Sequence, residues 1–552
     1  MPNLQNILVH FLPELILAVG AIVVLLYDVI VRGRDRAQGY LAIATVLLAI
    51  GATLWLYTVP PAEAEPVTIT HSSGQVIAQC GQQSIYEVRD EATGSQAFGV
   101  EDTRTFARCG TFVADGFTQF FRLLGGLATL LVILAGFAFM RGRTPFKGEF
   151  YAILLLATLA MNLMAGANDL IMIAIAIEFL SVSSYILTGF LRGNKLSIEG
   201  GLKYFLYGSI TSAAMLYGFS LLYGATSTTS LPAIGALLGD PESLLVSQVW
   251  VIVVPALIFI LVGVAFKIAL VPFHQWSPDA YHGAPTPVTS FLSVGPKLAG
   301  FAVLLRLLMT AFSVEAYSSQ WAATAAGIAV ITMVFGNIAA LRQKNVKRMM
   351  AYSSIAQAGF ILVAVAALGS GTVTSGQAIA AVLVFLLAYL FTNLGAFAVI
   401  IGFEDATGSS EIDDYAGLMK RSPLLAVSLA VFFLSLVGIP PLAGFIGKFS
   451  VFSAAIAGGQ IFVAVVGVLA GVVSVGYYFR VVRQMFFVSG QDDEETTALR
   501  VAPLLKLVVV VSLVMVFLIG LYADPFLTFT RQAAETLVPF TATVVASLTG
   551  PT

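Results

Sequence analysis

The sequence predicts an all-α polytopic membrane protein with about fourteen transmembrane helices, two inverted five-helix repeats (spans 4–8 and 9–13) and broken helices at spans 7 and 12. Three observations carry this. First, 58% of the 552 residues are hydrophobic and only 11% are charged, whereas a soluble domain carries about a quarter charged residues. Second, apolar runs of about twenty residues, the length that crosses a bilayer core, recur between short polar breaks. Third, two lysines at membrane depth each lie beside a helix-breaking segment. Lys267 precedes Val271-Pro272-Phe273, and Lys448 follows Gly438-Ile439-Pro440-Pro441.

In chain order the spans fall near residues 8–30, 39–59, 116–140, 149–166, 169–190, 200–223, 248–271, 286–311, 321–341, 347–368, 377–402, 423–455, 460–488 and 503–522. Met1–Asn6 has no basic n-region and no small-residue cleavage site, so the first span is expected to be retained. The tail Asp524–Thr552 is interrupted by Arg531 and Glu535 and predicts an interfacial helix rather than another span. The chain thus divides into 1–59 (spans 1 and 2), 60–115 (an insertion) and 116–148 (span 3). Next come 149–311 and 312–488, the two five-helix repeats, and then 489–552, the last span and tail.

Basic residues set the orientation. Arg32, Arg34 and Arg36 follow span 1, and Arg141, Arg143 and Lys147 follow span 3. Arg192 and Lys195 follow span 5; Arg342, Lys344, Lys347 and Arg348 follow span 9. Lys420 and Arg421 precede span 12, and Arg480, Arg483 and Arg500 flank the loop after span 13. The intervening loops 167–168, 224–247, 312–320, 369–376 and 456–459 contain no lysine or arginine. This alternation places the basic loops in the cytoplasm and both termini on the extracytoplasmic side. The insertion 60–115 then lies outside with both cysteines, Cys80 and Cys109. On an oxidising face the two form a disulfide candidate; unpaired thiols are the alternative, because sequence does not show that they meet.

A charge at the centre of a membrane helix costs roughly 2.5–3.5 kcal/mol on insertion scales, so it needs a partner, water or a task. Broken helices at that depth persist only where their freed backbone is covered or lines a cavity. Spans 7 and 12 are five apart, an odd number that reverses direction, so two broken helices with buried lysines read as a transport site built twice. Proline kinks alone are common, but they do not require a lysine within two turns on both occasions. Glu178 and Lys297 lie mid-span and join Lys267 and Lys448 as candidates. Lys203 can reach the interface or pair with Glu199 at i,i+4 spacing. Arg306 is expected to be an outer anchor, and Glu14 after Pro13 a helix-start carboxylate. His274 and His282, beside the first break, are candidate proton shuttles. No basic stripe with interleaved aromatics supports nucleic-acid binding.

The motifs resemble a known family. Ile177-Glu178-Phe179-Leu180-Ser181 with Tyr185, Glu199-Gly200-Gly201-Leu202-Lys203-Tyr204-Phe205 and Tyr217–Gly224 are similar to subunit N within the antiporter-like membrane subunits of complex I. Complex I is the proton-pumping NADH–quinone oxidoreductase. Phe266-Lys267, Val271–Tyr281, Gly283–Val288, Lys344–Gln357 and Gly438–Lys448 are similar to the signatures of the antiporter-like subunits, and the Pro-Asp-x-Tyr form of the second is closest to subunit N. The resemblance covers roughly residues 10–525. It implies that Glu178 pairs with Lys203 or Lys267 in one half-channel, that Lys297 passes the proton across, and that Lys448 faces the outer half-channel. It also implies partnership with other membrane subunits of complex I, including further antiporter-like subunits, within membrane lipid. The membrane would be a bacterial-type inner membrane or its equivalent. NADH, FMN, iron–sulfur clusters and quinone would belong to the complex, with no cofactor or metal in this chain.

The residues agree with that division of labour. The chain has no dinucleotide glycine fingerprint, no cysteine cluster for an iron–sulfur centre and no paired histidines for haem. Two departures stand out. The cysteine-bearing insertion is long, and span 11 offers Tyr389, Thr392 and Asn393 but no charge, so a relay there depends on water and hydroxyls. Tyr204, Ser209, Thr211 and Ser212 offer further hydroxyls on span 6. The rival readings are a subunit of a multisubunit sodium–proton antiporter, which shares the Lys267 and Lys448 motifs, and a scaffold whose charges only lock helices.

Overall fold

In hydrocarbon an apolar run satisfies its peptide groups internally, as a helix, and that constraint organises the whole chain. The computed structural model describes residues 8–31, 36–59, 67–70, 76–80, 110–239, 249–369, 375–489 and 498–537. The first spans are α1 (Leu12–Ile30), α2 (Ala37–Leu56), α3 (Gly116–Phe139), α4 (Lys147–Gly166), α5 (Leu170–Thr188) and α6 (Lys195–Thr226). A short helix α7 (Leu231–Gly239) occupies part of the next segment, where the hydropathy pattern predicts a loop. Span 7 is α8 (Val254–Ile268) and α9 (Trp276–Gly283) with a break between them. Then follow α10 (Thr286–Thr310), α11 (Glu315–Leu341), α12 (Val346–Leu368) and α13 (Ser375–Thr407). Span 12 is α14 (Pro423–Val437) and α15 (Ala443–Ala457), again interrupted; α16 (Ile461–Phe487) and α17 (Pro503–Leu521) complete the spans.

Among the described residues thirteen helices are long and apolar enough to cross a membrane, and the α14/α15 pair makes the fourteenth span. Both predicted breaks are present. The tail forms an amphipathic helix α18 (Ala523–Glu535) whose Thr530, Ala533 and Ala534 are buried against the protein, where it packs on α13 and α3. Within the insertion, β1 (Val67–Thr70) pairs antiparallel with β2 (Val76–Cys80). The expected Cys80–Cys109 disulfide lies outside the described residues, as does most of that insertion.

Three helices form the centre. The spanning windows of α10 and α13 are wholly buried inside the protein, and that of α12 nearly so, with each packed on the other two. Around them the outer helices show large apolar side chains to the surroundings, Ile171, Ile210, Val251 and Phe462 among them. That arrangement suits lipid outside and leaves the polar residues of α10, α12 and α13 facing one another.

The breaks have local causes. At the end of α8, Ala269 takes a left-handed conformation (φ 60°), and at the end of α14 Gly438 does the same (φ 95°). Each turn ends the ladder and frees carbonyls that protein must satisfy. The Trp276 indole donates to Phe266 O at 3.1 Å, and Thr332 Oγ1 accepts from the Val271 amide at 3.2 Å. Around the second break, Gln357 donates to Leu436 O at 3.0 Å and Lys448 Nζ to Val437 O at 2.8 Å. Ser435 Oγ accepts from the Gly444 amide at 3.0 Å, closing the two half-helices on each other. A Cβ at Gly444 would overlap the Ser435 carbonyl oxygen, which is backbone and cannot swing away. Gly444→Val is therefore expected to reduce the yield of folded protein in mild detergent sharply. Gly193→Ala, where a Cβ meets nothing within 4 Å, is expected to leave it unchanged.

Candidate functional site

Lys297 of α10 and Lys448 of α15 lie on one buried polar track, and Lys267 of α8 is packed beside it at Gly300, one turn from Lys297. Lys267 is buried at the end of α8 and donates to Ser181 Oγ of α5 at 2.6 Å. Ser181 lies one turn from Glu178, whose Oε1 is buried with no hydrogen-bond partner among the described residues. Glu178 and Lys267 thus share one neighbourhood without a direct ion pair. The stem of Lys267 passes Gly300, where a Cβ would lie 3.5 Å from Lys267 Cγ and would overlap Ile268. Gly300 is one turn from Lys297 on α10. A glycine there lets the two lysine-bearing helices approach closely.

Lys297 is buried and donates to the Ser354 carbonyl oxygen of α12. The hydroxyl of the same Ser354 is 3.3 Å from Tyr281 OH and accepts from Tyr389 OH at 2.9 Å. Pro296 has no amide hydrogen to give the Leu292 carbonyl four residues back. Tyr281 OH lies 3.3 Å from that carbonyl as its donor. Helix α9 thereby reaches the lysine site of α10.

From Tyr389 the track continues to Lys448. Tyr389, Thr392, Gln357, Ser435 and Lys448 share the lining of a cavity of about 10 Å³, close to the space one water needs. Thr392 Oγ1 and Ser435 Oγ are 3.1 Å apart. Lys448 Nζ is held on Val437 O and lies 4.2 Å from the centroid of the Phe360 ring. A helix C-terminus and an aromatic face both favour an ammonium. Span 11 therefore contributes hydroxyls where it has no charge.

Other candidates lie elsewhere. Lys203 does not pair with Glu178: it bonds Glu199 at 2.6 Å and Asp279 at 2.7 Å, with its side chain 39% exposed. Asp279 also holds Arg348 at 2.6 Å, so this cluster ties α6, α9 and α12 together at the basic-loop end. The i,i+4 partner was legible in sequence; Asp279, 76 residues away, was not. His274 is buried against Phe335 with Nδ1 unpartnered among the described residues, and His282 is half-buried near Lys347, Arg348 and Asp279. Of the span 6 hydroxyls, Ser209 and Thr211 bond their own helix, and Tyr204 stacks on Trp276 with centroids 3.8 Å apart.

Two expectations need correction. Arg306 is no outer anchor: it is buried, its guanidinium bidentate on Asp115 at 2.9 and 3.0 Å, with Nε donating to Ala165 O at 3.0 Å. Glu14 does more than start a helix, since Arg122 grips it at 2.8 and 2.7 Å in a second buried pair. Both arginines join residues over 100 positions apart, which no local pattern reveals.

A family model described as NADH:quinone oxidoreductase/Mrp antiporter, TM, matches residues 167–474. Over 435 residues the chain is 44% identical to NADH-quinone oxidoreductase subunit N 2 of Symbiobacterium thermophilum, covering 78% of this chain and 84% of that one. A chain of respiratory complex I from Thermus thermophilus superposes with a TM-score of 0.70 at 29% identity, covering 94% of this chain and 98% of its own. A chain of the Mrp complex from Dietzia sp. DQ12-45-1b superposes with a TM-score of 0.76 at 21% identity, covering 98% and 99%, a likeness of fold alone.

The two classes of ion pair predict different costs. Arg306→Ala leaves Asp115 buried and unpaired and is expected to cost about 3–5 kcal/mol. Lys203→Ala, in a partly exposed cluster, is expected to cost about 0–1 kcal/mol. Thermal unfolding in detergent, followed for each variant, checks the order.

Proposed function

This chain belongs to the NADH:quinone oxidoreductase/Mrp antiporter transmembrane family, and from that membership we propose that it is the proton-translocating subunit N of an NADH–quinone oxidoreductase. The observation that carries this reading is the track itself: Lys297 and Lys448, linked through Ser354 and Tyr389, with Lys267 packed beside Lys297 at Gly300 and Glu178 one turn from the serine that Lys267 bonds. The 44% identity to a relative named subunit N supports the same choice over the multisubunit sodium–proton antiporter.

The proposed mechanism uses the cost of buried charge. Desolvation disfavours a lysine ammonium, and a nearby carboxylate restores it. Movement of Glu178 toward Lys267 loads a proton there. Its withdrawal releases the proton toward Lys297 across the Gly300 contact. Ser354 Oγ, Tyr389 OH and a water in the cavity carry it on to Lys448, which hands it to the opposite face. Hydration along the track supplies the contacts that the resting side chains lack. Electron transfer from NADH to quinone, in subunits carrying FMN and iron–sulfur clusters, supplies the energy. Neighbouring antiporter-like subunits are the proposed partners. The basic loops face the cytoplasm, and the termini lie outside a bacterial-type inner membrane.

Lys267→Ala or Glu178→Ala is expected to leave the complex assembled but to cut proton translocation, and quinone reduction coupled to it, several-fold. Tyr389→Phe, which removes the hydroxyl between Lys297 and Lys448, is expected to slow translocation in the same direction. Native electrophoresis together with NADH-driven quenching of a pH dye in vesicles tests both. Full pumping in an assembled Lys267→Ala variant would make that lysine structural. Sodium-dependent proton exchange without NADH would favour the antiporter reading.

A further inference from the structure

A second polar stripe reaches Lys297 from the basic-loop end, and the mechanism above does not use it. Thr286, Ser290, Ser293 and Lys297 stand at i, i+4, i+7 and i+11 on α10, one face of the helix. All four are buried. Facing them on α13, Asn393 donates to Ser293 Oγ at 2.6 Å, and its own Oδ1 is buried with no partner among the described residues. Eleven residues further along α13, Glu404 Oε2 accepts from Thr286 Oγ1 at 2.5 Å. The third wall is α12. Its Lys347 Nζ lies 3.8 Å from Glu404 Oε2 and donates to Ala284 O at 2.9 Å. Seven residues on, the same helix presents Ser354, the acceptor of Lys297.

Three helices thus line a seam with an ionisable pair at its mouth and Lys297 at its inner end. The Glu404 side chain is 19% exposed, enough to meet water, while Lys347 is 5% exposed. A structural ion pair would account for Glu404 and Lys347 alone. It would not account for a hydroxyl every turn behind them, nor for the unpartnered Asn393 oxygen, since buried polar atoms are ordinarily bonded to protein or water.

We propose that Glu404 is the proton-loading carboxylate of the path to Lys297. Its carboxylate takes a proton from water at the basic-loop face and becomes the neutral acid. It passes the proton inward along Thr286, Ser290 and Ser293 and a water held at Asn393 Oδ1. Lys297 accepts it as the ammonium, and the Glu404 carboxylate is regenerated. Lys347 is the counter-charge that makes the empty carboxylate tolerable at that depth. The other groups facing Glu404 are Tyr415 and, through Lys347, Arg143, which is itself engaged by Asp405 at 2.6 Å. Burial first, then the Glu404 and Asp414 charges, push the Tyr415 phenol up, so it stays neutral and does not compete for the proton.

The inference rests on the proton-pumping reading, and the test separates the two. In inverted membrane vesicles holding the complete enzyme, NADH-driven acidification is measured for wild type, Glu404→Gln, Glu404→Asp and Asp405→Asn, with assembly checked by native electrophoresis. If wild type does not acidify the vesicles, the parent reading fails whatever Glu404 does. With wild type pumping, Glu404→Gln should be assembled but several-fold slower, most so when the basic-loop side is alkaline and protons are scarce there. Glu404→Asp should recover most of the rate, and Asp405→Asn should match wild type. Wild-type pumping by Glu404→Gln overturns the proposal. So does a defect that Asp does not relieve, or one unmoved by pH on that side, because either marks a structural role. If Glu404→Gln does not assemble, Glu404→Asp with Thr286→Val carries the test: slowed pumping in assembled Thr286→Val supports the path, and wild-type pumping overturns it.

Discussion

A helix that stops in mid-membrane leaves carbonyl oxygens with no amide to bond and no bulk water to take its place. This protein does so twice, and much of its interior is arranged around the consequence. At the first break an indole from the following helix reaches back to Phe266 O. At the second a glutamine and a lysine answer Leu436 and Val437. The second solution differs in kind. The group closing the backbone is itself ionisable, so the state of the helix end and the charge of Lys448 are coupled. An ammonium satisfies the negative end of a helix dipole better than an amine does. Protonation and local backbone stability therefore move together at this site.

The same economy runs through the centre. Pro296 spoils one hydrogen bond of α10, and the Tyr281 hydroxyl fills the vacancy. That phenol also sits 3.3 Å from the Ser354 hydroxyl, beside the carbonyl that holds Lys297. A backbone irregularity one residue from the lysine thus pins a helix of the first break to the site. Irregular backbone in the interior is used here as a set of attachment points for side chains that would otherwise have no reason to converge.

Much of this was legible in sequence. The spans, the two breaks and the lysines at 267, 297 and 448 stood out because a charge or a Pro-Gly cluster inside twenty apolar residues has few innocent explanations. The partners did not. Ser354 and Tyr389 are ordinary residues whose meaning comes from which helix lies opposite. Arg306 at the end of an apolar run looks like an anchor until Asp115, 191 positions away, is seen against it. Glu404 was missed because it closes a span, where carboxylates are common. The stripe of hydroxyls behind it at 286, 290 and 293 carried a helical period that could have drawn notice. Lys203 divides the two kinds of reading: its reach to the interface and its i,i+4 partner Glu199 were legible locally, whereas the resemblance implied a pairing with Glu178 and the structure gives Asp279 instead.

The full enclosure of α10 bears on how the chain is made. A helix carrying Thr286, Ser290, Ser293, a mid-span lysine and a proline is a poor tenant of lipid, and in the finished fold it touches almost none. During synthesis it emerges before α12 and α13, the helices that will cover two of its sides. The segments already present on its other sides are α3, α4 and α8, which pack against it in the final structure. Those earlier helices act as an intramolecular shelter, receiving a segment that the bilayer alone would reject and holding it until the second half of the chain arrives. Order along the chain thus suits this segment, a span with a proline and a mid-span lysine that follows helices able to take it in.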